Sequence, residues 1–144
     1  MENLLKLRFV SIGHNMLGSG GPDDLGFLTS LTTATSLRML DMEHNKLGGT
    51  LPASISNLST NLELLKINLT GNVPSSMGQF KNLLELNLSD NNLSGTIPQE
   101  VVGLSSLSVG NLKNLAALDV FENMLSSEIP GALGSCGSLE ILYI

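Results

Sequence analysis

Residues 83–98 read Leu83-Leu84-Glu85-Leu86-Asn87-Leu88-Ser89-Asp90-Asn91-Asn92-Leu93-Ser94-Gly95-Thr96-Ile97-Pro98. Leu86 and Leu88 alternate with polar neighbours, the period of a short strand with one face turned inward. Asn91 falls where the chain must leave that strand and turn. Its carboxamide carries both donors and an acceptor, so it can satisfy the backbone groups of a turn and of a neighbouring segment. Ile97-Pro98 fixes an extended backbone, after which residues 99–107 return and bring Val102 and Leu104 toward the apolar interior.

The same frame, L-x-x-L-x-L-x-x-N-x-L, recurs along the chain. It reads Leu37, Leu40, Met42, Asn45, Leu47, then Gly48-Gly49-Thr50-Leu51-Pro52. It reads again Leu115, Leu118, Val120, Asn123, Leu125, then Ser126-Ser127-Glu128-Ile129-Pro130. An earlier copy is Leu7, Val10, Ile12, Asn15, Leu17, and a last one begins at Leu139, Leu142, Ile144. No copy can bury its apolar side alone, so the copies must stack. The predicted fold is an α/β repeat solenoid with one parallel sheet on its concave face. Short 3-10 or irregular segments cover the convex face, and Asn15, Asn45, Asn91 and Asn123 form a structural ladder.

The frame and its appended segment resemble the plant-type leucine-rich repeat, a unit of about 24 residues ending in L-x-G-x-I-P. That ending reads Leu47-Gly48-Gly49-Thr50-Leu51-Pro52, Leu69-Thr70-Gly71-Asn72-Val73-Pro74 and Leu93-Ser94-Gly95-Thr96-Ile97-Pro98; in the fourth copy Ser127 replaces the glycine. The stretches 27–37 and 55–62 look like cereal receptor kinases related to the rice bacterial-blight-resistance receptor. The resemblance implies a protein-interaction ectodomain segment of a plant receptor-like kinase or receptor-like protein, active in signalling or defence. It implies a protein or peptide ligand, a co-receptor and a place on the extracellular side of the plasma membrane. Two alternatives stand beside it: a soluble inhibitor of an extracellular hydrolase, and a truncated gene product without independent function.

Measured from the first Leu of each unit, the steps are 30, 25, 21, 24, 8 and 24 residues. The long first step carries an insertion near residues 18–26, with Gly20-Gly21-Pro22-Asp23-Asp24 as a turn cluster. The unit beginning at Leu62 has lost about one turn, including its ladder Asn, so residues 68–72 are expected to be irregular. The shortest step cannot hold a full turn of solenoid, which predicts a bulge or extra return segment over 107–114 and direct pairing of the strands at Leu83 and Leu115. The expected organisation is one solenoid over residues 1–144, of about five to six repeats, uncapped at both ends.

Composition narrows the function. Leu supplies 30 of the 144 residues and Asn 14, with only 3% aromatic residues, a bias that suits one small unit used repeatedly. The net charge is −6 and the seven Lys and Arg are scattered, so the basic patch that nucleic-acid binding needs is missing. No apolar run approaches the ~20 residues that span a bilayer, and the first residues show no signal-peptide pattern. The single cysteine, Cys136, reads as a buried inert thiol. No catalytic motif occurs, so no enzyme activity, catalytic residue or cofactor is expected.

The outward strand positions define a candidate binding face in three rows. Ser11, Asp41, Lys66, Asn87, Asp119 and Tyr143 make the first; Gly13, Glu43, Asn68, Ser89 and Phe121 the second; His14, His44, Asp90 and Glu122 the third. Phe121 and Tyr143 are natural anchors, while solvated strand residues are the plainer reading. His14 and His44 occupy equivalent positions, so their rings can stack, and two histidines without a fixed ligand spacing are not expected to hold a metal. Four N-x-S/T sequons, at Asn57, Asn68, Asn87 and Asn92, are glycan acceptors if the chain is secreted. A sequence of this composition also generates such triplets by itself.

Overall fold

The computed structural model describes residues 4–102 and 113–144. In chain order the strands are β1 (Phe9–Ser11), β2 (Met39–Asp41), β3 (Leu64–Lys66), β4 (Thr70–Asn72) and β5 (Glu85–Asn87). They continue as β6 (Asn92–Gly95), β7 (Ala117–Asp119), β8 (Met124–Leu125) and β9 (Ile141–Tyr143). One short helix, α1 (Leu28–Leu31), and 3-10 segments at Ala53–Asn57, Ser75–Gln79 and Gly131–Ser135 make up the remaining regular structure among the described residues.

β1, β2, β3, β5, β7 and β9 form a six-stranded sheet in which every pair is parallel. Leu40, Leu65, Leu86 and Leu118 sit opposite one another in register and are all buried. The residues that open and close each frame, such as Leu62 and Ile67 or Leu83 and Leu88, are buried with them. Return segments close the core from the other side through Ile55, Leu58, Met77, Phe80 and Val102. Leu104 lies outside the described residues.

Beside the expected parallel sheet the fold holds another that the repeat frame did not anticipate. β4, β6 and β8 form a second parallel sheet of three strands, built from the L-x-G segments. Stacking brings those extended segments side by side, and backbone N–H and C=O groups held in that way must pair. Within the shortened unit, residues 70–72 are therefore a strand rather than an irregular stretch. The next unit's ladder asparagine still reaches back to it: the Leu69 N–H donates to the Asn91 side-chain oxygen, and Asn91 Nδ2 reaches the Ile67 carbonyl at 2.9 Å.

The insertion near residues 18–26 is organised by Asp24. Its carboxylate accepts from the N–H groups of Ser19 at 2.9 Å and of Gly21 and Gly48 at 3.0 Å. Those backbone donors, that of Ser19 foremost, hold the Asp24 carboxyl below its ordinary value. Leu25, Leu28 and Leu31 then drop into the core. Of the irregular stretch expected over 107–114, residues 107–112 lie outside the described residues. β5 and β7 pair directly on either side of it, as the spacing required.

Candidate functional site

Asn45, Asn91 and Asn123 work in one way. Asn45 Nδ2 donates to the Met42 and Glu43 carbonyls of its own unit and to Ile12 of the preceding one at 2.8 Å, while its oxygen accepts from Leu17 N–H at 2.9 Å. Asn123 repeats this toward Val120, Phe121, Leu88 and Leu93. Asn15 bonds the Ile12 and Gly13 carbonyls of its own unit. These bonds fix the turn that follows each strand and therefore aim the outward side chains.

The turn imposes a second condition. His14, His44, Asp90 and Glu122, each immediately before a ladder asparagine, have φ of 53, 50, 54 and 51°. That left-handed region is uncommon for residues with a Cβ, and His and Asp are among the types that tolerate it best. Because the same conformation recurs in every complete unit, it belongs to the repeat and not to one local site.

The register places the first row, Ser11, Asp41, Lys66, Asn87, Asp119 and Tyr143, as direct neighbours across the sheet. It also reveals a row that the sequence reasoning missed: Phe9, Met39, Leu64, Glu85, Ala117 and Ile141. The signal was present in the outward-facing residue two positions before each first-row member. The new row is mainly apolar, and Phe9 is 61% exposed.

Several of these side chains are engaged. Asp41, Asn87 and Asp119 each accept through Oδ1 from the N–H two residues on, that of Glu43, Ser89 and Phe121. This local turn ties first row to second. Ser11 Oγ donates to Asp41 at 3.0 Å. Lys66 Nζ stands 3.8 Å from both Glu43 and Glu85, and it is the one Lys or Arg among the described residues of the four rows. The face is acidic around it, through Asp41, Asp90, Asp119 and Glu122. Phe121 and Tyr143 are 51% and 57% exposed, at one end of the sheet.

At the other end the histidines meet. The rings of His14 and His44 stack with centroids 4.4 Å apart and an interplanar angle of 26°. His14 Nε2 lies 3.5 Å from Glu43 Oε1.

The sequon residues divide. Asn57 and Asn92 are exposed, whereas Asn68 and Asn87 are half-buried. The Asn87 oxygen is taken by Ser89, and Asn68 Nδ2 reaches the Asp90 carbonyl. Cys136 is half-buried with its sulfur against the Val102 carbonyl, and burial raises its thiol pKa, which disfavours the reactive thiolate. No helix among the described residues is long and apolar enough to cross a membrane.

Comparison with known proteins agrees with this architecture. Residues 36–58 and 82–104 match the Leucine Rich Repeat family. The chain is 39% identical over 88 residues to the LRR receptor-like serine/threonine-protein kinase EFR of Arabidopsis thaliana, covering 59% of this chain and 8% of the relative. It is 38% identical over 88 residues to the receptor kinase-like protein Xa21 of Oryza sativa subsp. japonica, with the same two coverages of 59% and 8%. The solved ectodomain of the Arabidopsis receptor kinase HAESA, in complex with an IDA peptide hormone ligand, superimposes with a TM-score of 0.71 at 37% identity. That match covers 93% of this chain and 20% of HAESA's. The chain thus carries leucine-rich repeats and is homologous to plant leucine-rich-repeat receptor kinases, while spanning under a tenth of the length of the first two relatives.

Proposed function

We propose that this chain, as a leucine-rich-repeat relative of plant receptor kinases, is a recognition segment of the extracellular, non-catalytic part of such a receptor or of a receptor-like protein. It forms a single solenoid whose concave face takes an extended peptide or protein ligand and, beside it, a co-receptor. The observation that carries this reading is the row structure of the six-stranded sheet, which aligns outward side chains, half-buried in the middle and exposed toward the ends, across its units. Repeat scaffolds use this kind of surface for extended binding. HAESA, with its peptide hormone, supplies a parallel for a ligand on a similar scaffold. Likeness to receptor kinases favours this reading over a soluble inhibitor. Asn57 and Asn92, the exposed sequon residues, are the proposed glycan acceptors.

Phe121 and Tyr143 are the proposed anchors, because aromatic side chains dominate binding energy where they become buried in a complex. In a secreted ectodomain carrying this segment, Phe121→Ala and Tyr143→Ala should each weaken ligand binding by about 2 kcal/mol, roughly thirtyfold. Asp119→Asn keeps the Oδ1 acceptor for Phe121 N–H and removes only the charge, so it separates charge from turn geometry. Surface plasmon resonance, with circular dichroism as a control for folding, checks this. Full affinity in both aromatic variants would remove the concave-face assignment. Peptide mapping of the same protein by mass spectrometry should find glycan on Asn57 and Asn92, and bare asparagine at both would remove that assignment.

A further inference from the structure

We propose that His14, His44 and Glu43 form a site for a divalent transition metal of the borderline class, Zn2+ or Ni2+, at the rim of the concave face. The chain has two histidines, and both stand here, on adjacent units. One donor atom from each of the three residues lies within 4.8 Å of the others. Two imidazoles and a carboxylate are the donor set that such ions prefer. A tetrahedral ion with bonds of about 2.0–2.2 Å needs its donors about 3.4 Å apart. His14 Nε2 and Glu43 Oε1, at 3.5 Å, already have that separation. The two rings are stacked and not yet convergent. Convergence on one ion requires the exposed His44 ring to rotate about its own side-chain bonds until a nitrogen faces the same point.

The backbone beneath the site is fixed, which is what a metal site needs. His14 and His44 have nearly the same left-handed φ, 53 and 50°. His14 N–H donates to the Glu43 carbonyl at 2.9 Å, and Asn15 N–H to the His44 carbonyl at 3.2 Å. Ladder residues Asn15 and Asn45 hold both turns from below. Asp90 and Glu122, which occupy the same position in later units, offer no imidazole, so the site is confined to this end. Three protein donors leave a fourth position open to water or to a donor of a bound partner.

Lys66 is the competitor. Its ammonium lies 3.8 Å from the Glu43 oxygen and equally far from Glu85, so an incoming ion displaces it toward Glu85. This gives the proposal a signature that an adventitious surface histidine lacks: removing the Lys66 charge must improve metal binding. The inference does not depend on the receptor reading.

Zn2+ titrated by calorimetry into the full chain should show saturable one-to-one binding. Asparagine tolerates a left-handed backbone, so His14→Asn and His44→Asn remove the ligands without straining the turns. Each should weaken binding at least about tenfold, and the double variant should abolish it. Lys66→Met should tighten it severalfold. A double variant that binds Zn2+ as well as the wild type, or a Lys66→Met variant that binds no better, overturns the site. A second readout needs no variant. Substoichiometric Ni2+ should broaden the ring-proton resonances of both histidines together in the wild-type chain, and broadening of only one, or of neither, refutes a shared ion.

Discussion

Ser127 has φ of 77°, where the equivalent residues Gly49, Gly71 and Gly95 have 93, 81 and 75°. In this region a Cβ crowds the following carbonyl and costs roughly 1–2 kcal/mol, which glycine does not bear. Ser127 is exposed, so its replacement empties no packed space. Ser127→Gly should therefore stabilise the chain by about 1 kcal/mol, even after the larger conformational freedom of glycine in the unfolded chain. A higher urea midpoint at unchanged slope is the expected result, and a lower midpoint would show that the hydroxyl outweighs the backbone strain. The glycine position of this unit could be read from the L-x-G frame, because glycine marks it in three other copies. The left-handed turn at His14, His44, Asp90 and Glu122 could not. No glycine stands there, and the conformation is imposed by the ladder asparagine that follows. For the same reason Asp41, Asn87 and Asp119 read as free surface residues in the sequence, although each holds a backbone N–H two positions away.

Among the elements, the six strands of the main sheet and their register follow from leucine spacing, because burial of one face leaves a single acceptable alignment. The second sheet was illegible. Thr70-Gly71-Asn72 and Asn92-Leu93-Ser94-Gly95 show neither alternation nor strand propensity, and they pair because the stack holds them adjacent. The insertion was visible as a turn cluster, but its organising contact was not, since Gly48 lies far from Asp24 in sequence. The depressed pKa of Asp24 makes that contact dependent on pH. A carboxyl held below its ordinary value of 3.8 stabilises the fold above that value and loses the contribution as pH falls through the lowered, folded-state value. Asp24→Asn should accordingly melt below the wild type at pH 7, and the gap should shrink as acid protonates Asp24. Thermal melts across that range test it. A gap that persists unchanged in acid would mean the carboxylate charge is not what the three N–H groups recognise.

At the scale of the whole molecule, burial is uneven along the solenoid. Leu118 and Leu142 are the same residue of the repeat and face each other across β7 and β9. Leu118 is fully buried, whereas Leu142 is 40% exposed, and all of β9 is exposed with it. In a stack, each unit gains its stability from its own apolar residues and from the neighbours on either side. A leucine enclosed by two neighbours therefore differs from one that has a neighbour on one side only. Leu118→Ala removes contacts to both and leaves a cavity, which costs about 2–5 kcal/mol. In the chain of residues 1–144 taken by itself, Leu142→Ala opens no enclosed cavity and should cost at most about 1 kcal/mol, in the range of partly exposed substitutions. Denaturant melts of the two variants test the point, with hydrogen exchange of the strand amides showing where protection is lost. For Leu118→Ala the loss should extend into β5 as well as β7 and β9, because the interior unit links them. Equal costs for the two substitutions would mean that β9 is covered in solution by something other than β7. The six-stranded sheet would then have to be regarded as part of a larger stack or assembly.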